Sequence, residues 1–164
     1  MKLAEETRFQ LIDMGISFTF ETVLSTREKI DFLKWAKNEG YLIKTIYITT
    51  ADPKINVKRV EERKKQGGHG VPIDKIFSRY EKSMNLMAEV IMLSSMVEVY
   101  DNSGSIPVKV FEKNTYGEQI LLNREIRNEW VDQFIAHPLR IKNAVINADL
   151  TCEETEAVKN SDDY

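Results

Sequence analysis

Three groups of residues in this chain are of types and spacings that suit chemistry on a phosphorylated small molecule. The first is Glu21-Thr22, a carboxylate and a hydroxyl at the end of an apolar run. Such a pair can hydrogen-bond the hydroxyls of a sugar or alcohol, or simply face water. The second is the cationic set Arg63, Arg79 and Lys82, which flanks the loop Gly67-Gly68-His69-Gly70. Cations beside a glycine-rich loop can close over phosphates and stabilise charge on a transferring phosphoryl group. An arginine fork matches phosphate oxygens better than a lysine ammonium does. The plain alternative is a solvated helix face paired with Glu61, Glu62 and Glu81. The third is Asp101-Asn102-Ser103-Gly104, which read alone is a turn. His69 could reach a phosphate or a base, but no Cys or His lies near it, so it indicates no metal site. Two histidines, neither beside a candidate nucleophile, also leave no basis for a Ser–His–Asp arrangement.

These groups need elements to hold them. Residues 3–14 read as an amphipathic helix ended by Gly15, and 16–23 as a strand in which Ile16, Phe18 and Phe20 alternate with Ser17, Thr19 and Glu21. Ser25-Thr26-Arg27-Glu28 is a capping-box pattern that starts a helix to about Asn38, with Gly40 beyond its end. Leu42–Thr50 reads as a strand, and Asp52-Pro53 as the cap and first residue of a helix that stops at Gly67-Gly68. A long helix over 73–93 follows, carrying an apolar stripe of Ile76, Tyr80, Met84 or Met87, and Ile91. Val97–Tyr100 and Pro107–Lys113 read as a hairpin, and Glu118–Phe134 as helix. The alternation predicts an α/β fold with a largely parallel sheet. Sites in such sheets lie at the carboxyl ends of the strands, where Glu21-Thr22, Thr49-Thr50 and Asp101-Asn102 would form one edge.

The bulk numbers narrow the classes. At 164 residues with 42% hydrophobic and 30% charged residues, one domain with a real core is expected. A net charge of −3 argues against a nucleic-acid-binding surface, although Lys54, Lys58, Arg59, Arg63, Lys64 and Lys65 are concentrated locally. Cys152, the single cysteine, excludes an internal disulfide and fits a reducing cytoplasm. No apolar run is long enough to span a membrane, and the acidic start Met1-Lys2-Leu3-Ala4-Glu5-Glu6 is not a signal peptide.

Taken in order, Phe20-Glu21-Thr22-Val23-Leu24-Ser25, Gln66-Gly67-Gly68-His69-Gly70-Val71-Pro72, Arg79-Tyr80-Glu81-Lys82-Ser83 and Tyr100-Asp101-Asn102-Ser103 resemble the zeta-toxin and UDP-N-acetylglucosamine kinase group of P-loop kinases. The resemblance covers residues 16–104. It implies a three-layer P-loop kinase fold that binds ATP and Mg²⁺ and phosphorylates a hydroxyl of a small molecule such as a nucleotide sugar. It gives Glu21 and Thr22 to substrate binding, and Arg79, Lys82 and Arg63 to the catalytic, phosphate-facing region. Gly67, Gly68, His69 and Gly70 fall to the lid, and Asp101 and Asn102 to the nucleotide site. A small antitoxin protein is a possible partner on the same ground.

Three departures accompany it. Val23 stands where many members have a second Thr, and Lys82 where many have Arg. None of the seven glycines, at 15, 40, 67, 68, 70, 104 and 117, is followed by Lys, so the Gly-Lys-Ser/Thr end of a P-loop is missing. On this reading, residues 1–115 are a kinase core lacking its first strand and P-loop at the N-terminus. Residues 116–164 are a helical extension with a polar tail. The family's first strand is central in the sheet, so the two strands that flank it must pair directly or leave exposed edges. Two expectations follow: a kinase recorded as an N-terminally truncated chain, inactive alone, or a non-catalytic module that binds a nucleotide sugar or a partner protein.

Overall fold

The longest-range feature of the fold is a parallel pairing. In the computed structural model, β1 (Lys44–Thr49) runs beside β2 (Met96–Asp101) in continuous register, from Lys44 opposite Met96 to Thr49 opposite Asp101. The model describes residues 2–122 and 129–139. Between the two strands lie α3 (Pro53–Lys65) and α4 (Ile73–Leu93), enough chain for a crossover. The connection from β2 to β3 (Val108–Lys113) is too short for one, so that pair is antiparallel, as is β3 with β4 (Gln119–Leu121). The sheet is therefore mixed, in the order β1-β2-β3-β4, where a largely parallel one was predicted.

One face of the sheet holds the core. Val97, Val99, Val110 and Phe111 pack on Met84, Met87, Val90 and Ile91 of α4, on Ile30 of α2 (Arg27–Asn38), and on Trp130 and Ile135. The other face carries Glu98, which meets Lys44 at 3.2 Å, Lys109 at 3.7 Å and the Tyr100 hydroxyl at 2.7 Å. Those partners, Tyr100 first, hold the Glu98 carboxyl below the usual range. Beside them Ile46 and Ile48 are 57% and 60% exposed. The second covering layer of a three-layer sandwich is thus not formed among the described residues.

Several local readings are realised. Asp52 accepts a hydrogen bond from the Lys54 amide at 2.8 Å with Pro53 beginning α3. Gly67, at φ +89°, turns the chain out of that helix, with Gly67 N bonded to Lys64 O and Gly68 N to Arg63 O. Gly40, at φ +86°, ends α2 in the same way, through Gly40 N to Lys37 O and Tyr41 N to Ala36 O. Helix α1 spans Lys2–Asp13.

Three readings are corrected. Residues 16–23 are extended but join no ladder; their β-like pattern is spent on packing Phe18 and Phe20 against Phe32, at 6.5 and 5.7 Å between ring centres. Helix α2 is capped at Thr26 rather than Ser25, and no side chain bonds its first amides. The stretch from Glu118 was expected to be helical, yet Gln119–Leu121 is β4, because Asn114–Gly117 makes a hairpin turn. The Asn114 side chain accepts from Tyr116 N and Glu118 N, and Gly117 takes φ +82°. After residues that lie outside the described ones, the chain is helical again over Glu129–Val131, a wider π-type turn Asp132–Ala136, and His137–Leu139. Cys152 and the tail 160–164 lie outside the described residues.

Candidate functional site

The carboxyl ends of β1 and β2 are bonded to each other through their loops. Asn102 N donates to Thr49 O at 2.7 Å, and Ala51 N to the Ser103 hydroxyl at 2.8 Å. The Arg59 guanidinium reaches Gly104 O at 3.2 Å, tying α3 to the turn after β2. From α4, the Tyr80 hydroxyl donates to Thr50 O at 2.8 Å. Burial, with the Asp52 and Asp101 charges behind it, pushes the Tyr80 phenol up to about 12. The Tyr47 hydroxyl is bonded to Ser83, and burial pushes its phenol up to about 12 as well. These bonds make a rigid floor at the end of the sheet where α/β sites lie.

Above that floor opens a cleft of about 1030 Å³, at the upper end of the size range of small-molecule sites. One wall is the extended stretch Phe18–Leu24, and the opposite wall is β1 with Thr49 and Thr50. Helix α3 contributes Asn56, Arg59 and Val60, and α4 contributes Ile76, Arg79, Tyr80 and Ser83. Four of the residues singled out from the sequence meet here: Glu21, Thr22, Arg79 and Asn102. Arg79 is exposed and forms no ion pair among the described residues, so its charge is available to a ligand.

The other candidates lie elsewhere. Positions 76, 79, 80 and 83 share one face of α4, and Lys82 falls outside that spacing and outside the lining. Arg63 sits in the last turn of α3, its guanidinium 3.5 Å from His69 O, within the Gly67–Gly70 loop rather than the cleft. Gly67, Gly68, His69 and Gly70 do not line the cleft either. Asp101 is buried; its carboxylate accepts from Ser103 N at 2.8 Å and from Trp130 Nε1 at 3.2 Å, which holds the turn that presents Asn102.

Sequence reasoning missed Arg59, Tyr80 and Ser83 as lining residues. Tyr80 was read as part of an apolar stripe, and its polar tip was the available signal. Arg59 is one turn before Arg63 on the same helix face, which should have brought it into the cationic set.

The sequence has no Gly-Lys-Ser/Thr loop. Among the described residues no group of three or more His, Cys, Asp and Glu side chains could hold a cation. Arg79 and Arg59 line the cleft as cations that suit an anionic ligand, and Asn102, Thr22 and Glu21 as partners for hydroxyl or amide groups. No helix is long and apolar enough to cross a membrane, among the described residues.

Comparison with known proteins gives two matches. A family profile described as "Zeta toxin" matches residues 1–116. An uncharacterised protein of Haemophilus influenzae is 35% identical over 69 residues, 42% of this chain and 49% of that protein. The match thus spans about half the length of that curated relative. No solved structure matches the chain.

Proposed function

The chain belongs to the zeta-toxin family, and from that premise we propose that its cleft is the acceptor-substrate site of a zeta-toxin-type phosphotransferase. The family uses ATP and is kinase-like; the substrate class proposed for this cleft is a hydroxylic small molecule bearing phosphate, such as a nucleotide sugar. Glu21 and Thr22 hydrogen-bond its hydroxyls, and Arg79 meets its phosphate, with Asn102 beside it. The observation that carries the reading is that Glu21, Thr22, Arg79 and Asn102 all line one cleft that runs along the free edge of β1.

A second reading is a non-catalytic module that binds the same class of ligand, since residues 1–164 carry no Gly-Lys-Ser/Thr loop. We therefore expect residues 1–164 alone to bind without transferring phosphate. Lys82, Arg63, the Gly67–Gly70 lid and Asp101 belong to the transfer apparatus only by resemblance.

Titration calorimetry with UDP-N-acetylglucosamine tests the site. Arg79→Ala and Glu21→Gln should each weaken binding about tenfold or more, in line with the loss of a charge-assisted hydrogen bond. Unchanged affinity in both variants, with the fold intact by circular dichroism, rejects the cleft assignment. ATP turnover by purified 1–164 rejects the non-catalytic reading. The intact mass of the native protein, against 19.0 kDa for this chain, separates a longer kinase from a free-standing module.

A further inference from the structure

Behind the cleft lies a buried carboxylate that does not line it. Asp101 and Trp130 are both buried, and neither is among the lining residues. Asp101 Oδ2 accepts from the Trp130 indole at 3.2 Å. Its Oδ1 accepts from Ser103 N at 2.8 Å and from the Ser103 hydroxyl at 2.5 Å. That hydroxyl in turn accepts from Ala51 N at 2.8 Å, so it joins the loop after β1 to the carboxylate at the end of β2.

This chain of hydrogen bonds runs on to three groups that line the cleft. Asn102 sits between Asp101 and Ser103, with its amide on Thr49 O at 2.7 Å. Gly104 O, next after Ser103, accepts from the Arg59 guanidinium at 3.2 Å. Thr50 O, just before Ala51, accepts from the Tyr80 hydroxyl at 2.8 Å, and Tyr80 adjoins Arg79 on α4. The indole donor comes from residues 129–139, outside the stretch 1–116 that the family profile matches. Ile135 of the same segment is seated in the core with Met87 and Val90 of α4, which gives Trp130 a firm base.

We propose that Trp130 and Asp101 are positioning residues for the cleft. The indole N–H orients the carboxylate, and the carboxylate sets the turn that presents Asn102 and receives Arg59. Neither touches the ligand. Charge-assisted bonds in a buried network reinforce one another, so loss of the indole donor loosens the turn as a whole. A binding constellation whose supporting shell is loose loses its geometry. The effect on a ligand rests on the site proposed above; the coupling of Trp130 to the turn does not.

Two measurements test the proposal, with Ile135→Val as the control for destabilisation alone. Trp130→Phe removes the donor and keeps most of the packing. In the full chain without ligand, it should speed hydrogen exchange of the Ala51, Asn102 and Ser103 amides about tenfold or more, as local opening does, while β2–β3 amides stay protected. Ile135→Val should leave those three amides at wild-type rates. Calorimetry with UDP-N-acetylglucosamine, on variants folded by circular dichroism, should show Trp130→Phe weakening binding about fivefold or more. Ile135→Val should bind as wild type does, and Trp130→Phe should add no further loss in an Asp101→Asn background. If Trp130→Phe does not fold, Asp101→Asn is read in its place, with the same expected changes. Unchanged exchange of the three amides overturns the proposal, as does equal acceleration in Ile135→Val. Faster exchange with unchanged affinity, where wild type binds, overturns the positioning role. A wild type that does not bind UDP-N-acetylglucosamine rejects the ligand site instead, and the amides alone then decide the coupling.

Discussion

Replacing Trp130 with Phe should cost far more than the small change in ring size. Trp130 is 5% exposed and its indole N–H donates to Asp101 Oδ2 at 3.2 Å, in a pair that is buried. A hydrogen bond to a carboxylate is worth about 1.5–3 kcal/mol. The smaller ring also gives up roughly 1 kcal/mol of apolar burial. A loss of about 3 kcal/mol in a chain of this length lowers Tm by roughly 6–12 °C. The size of the loss alone would not identify the bond, since any buried aromatic change destabilises. A double-mutant cycle with Asp101→Asn does, because an amide still occupies the site but accepts a weaker bond. The cost of Trp130→Phe in the Asp101→Asn background should fall by about 1 kcal/mol or more, as coupled neighbours do. Urea unfolding of the four proteins supplies the numbers. Equal costs in both backgrounds would refute the assignment of this bond as the tie between residues 129–139 and the end of β2.

Stability should also depend on alkaline pH. Burial raises the Tyr47 phenol from 10 to about 12, so the folded protein holds that proton more tightly than the unfolded chain does. The group's contribution is therefore full below pH 10 and is lost as pH rises toward 12, a change of about 2–3 kcal/mol at most. The urea midpoint of wild type should fall more steeply than that of Tyr47→Phe between pH 9 and 11.5; parallel slopes would exclude it. Gly68→Ala should be destabilising by about 1–3 kcal/mol, since overpacking costs that much. Its new Cβ would stand 2.9 Å from the Arg63 carbonyl oxygen and 2.8 Å from Arg63 Cγ. Gly104→Ala, with nothing nearer than 4.0 Å and no positive φ, should be within about 0.5 kcal/mol of wild type, and urea unfolding of both glycine variants reads the difference.

The legible part of this fold is the part governed by local chemistry. Asp52-Pro53 starts α3, Gly67 and Gly40 end helices, and α4 runs from Ile73 to Leu93 as its apolar stripe indicates. The unreadable part depends on partners distant in sequence. Residues 16–23 have a strand's pattern, but pairing needs an edge in reach, and no alternation of side chains encodes that reach. Gln119–Leu121 is a strand because Asn114 and Gly117 turn the chain back on β3; the turn chemistry was present and went unread. In the candidate site, Glu21, Thr22, Arg79 and Asn102 could be chosen because strand ends and loop flanks are positions a sequence shows. Arg59 and Tyr80 carried only the weak local signals of a shared helix face and a polar tip, because their place in the cleft is set by how α3 and α4 pack on the β1 and β2 loops.

The β1–β2 ladder bears on what this chain can bind. The resemblance implies a central strand, the one that leads into a phosphate loop, between two of the strands that remain. The β1–β2 seam is not that place if it is to stay paired: six residues of β1 are in register with six of β2. It is locked at the carboxyl end by Asn102 N on Thr49 O, by Ala51 N on the Ser103 hydroxyl, and by Arg59 on Gly104 O. Inserting a strand would require breaking all of these, and buried backbone groups left unpaired during the exchange are costly. The outer edge of β1 is different, since nothing must be broken to reach it. The sheet therefore accepts addition at its β1 edge far more readily than insertion at its centre. Glu21 and Thr22, the proposed substrate contacts, line the cleft along that edge.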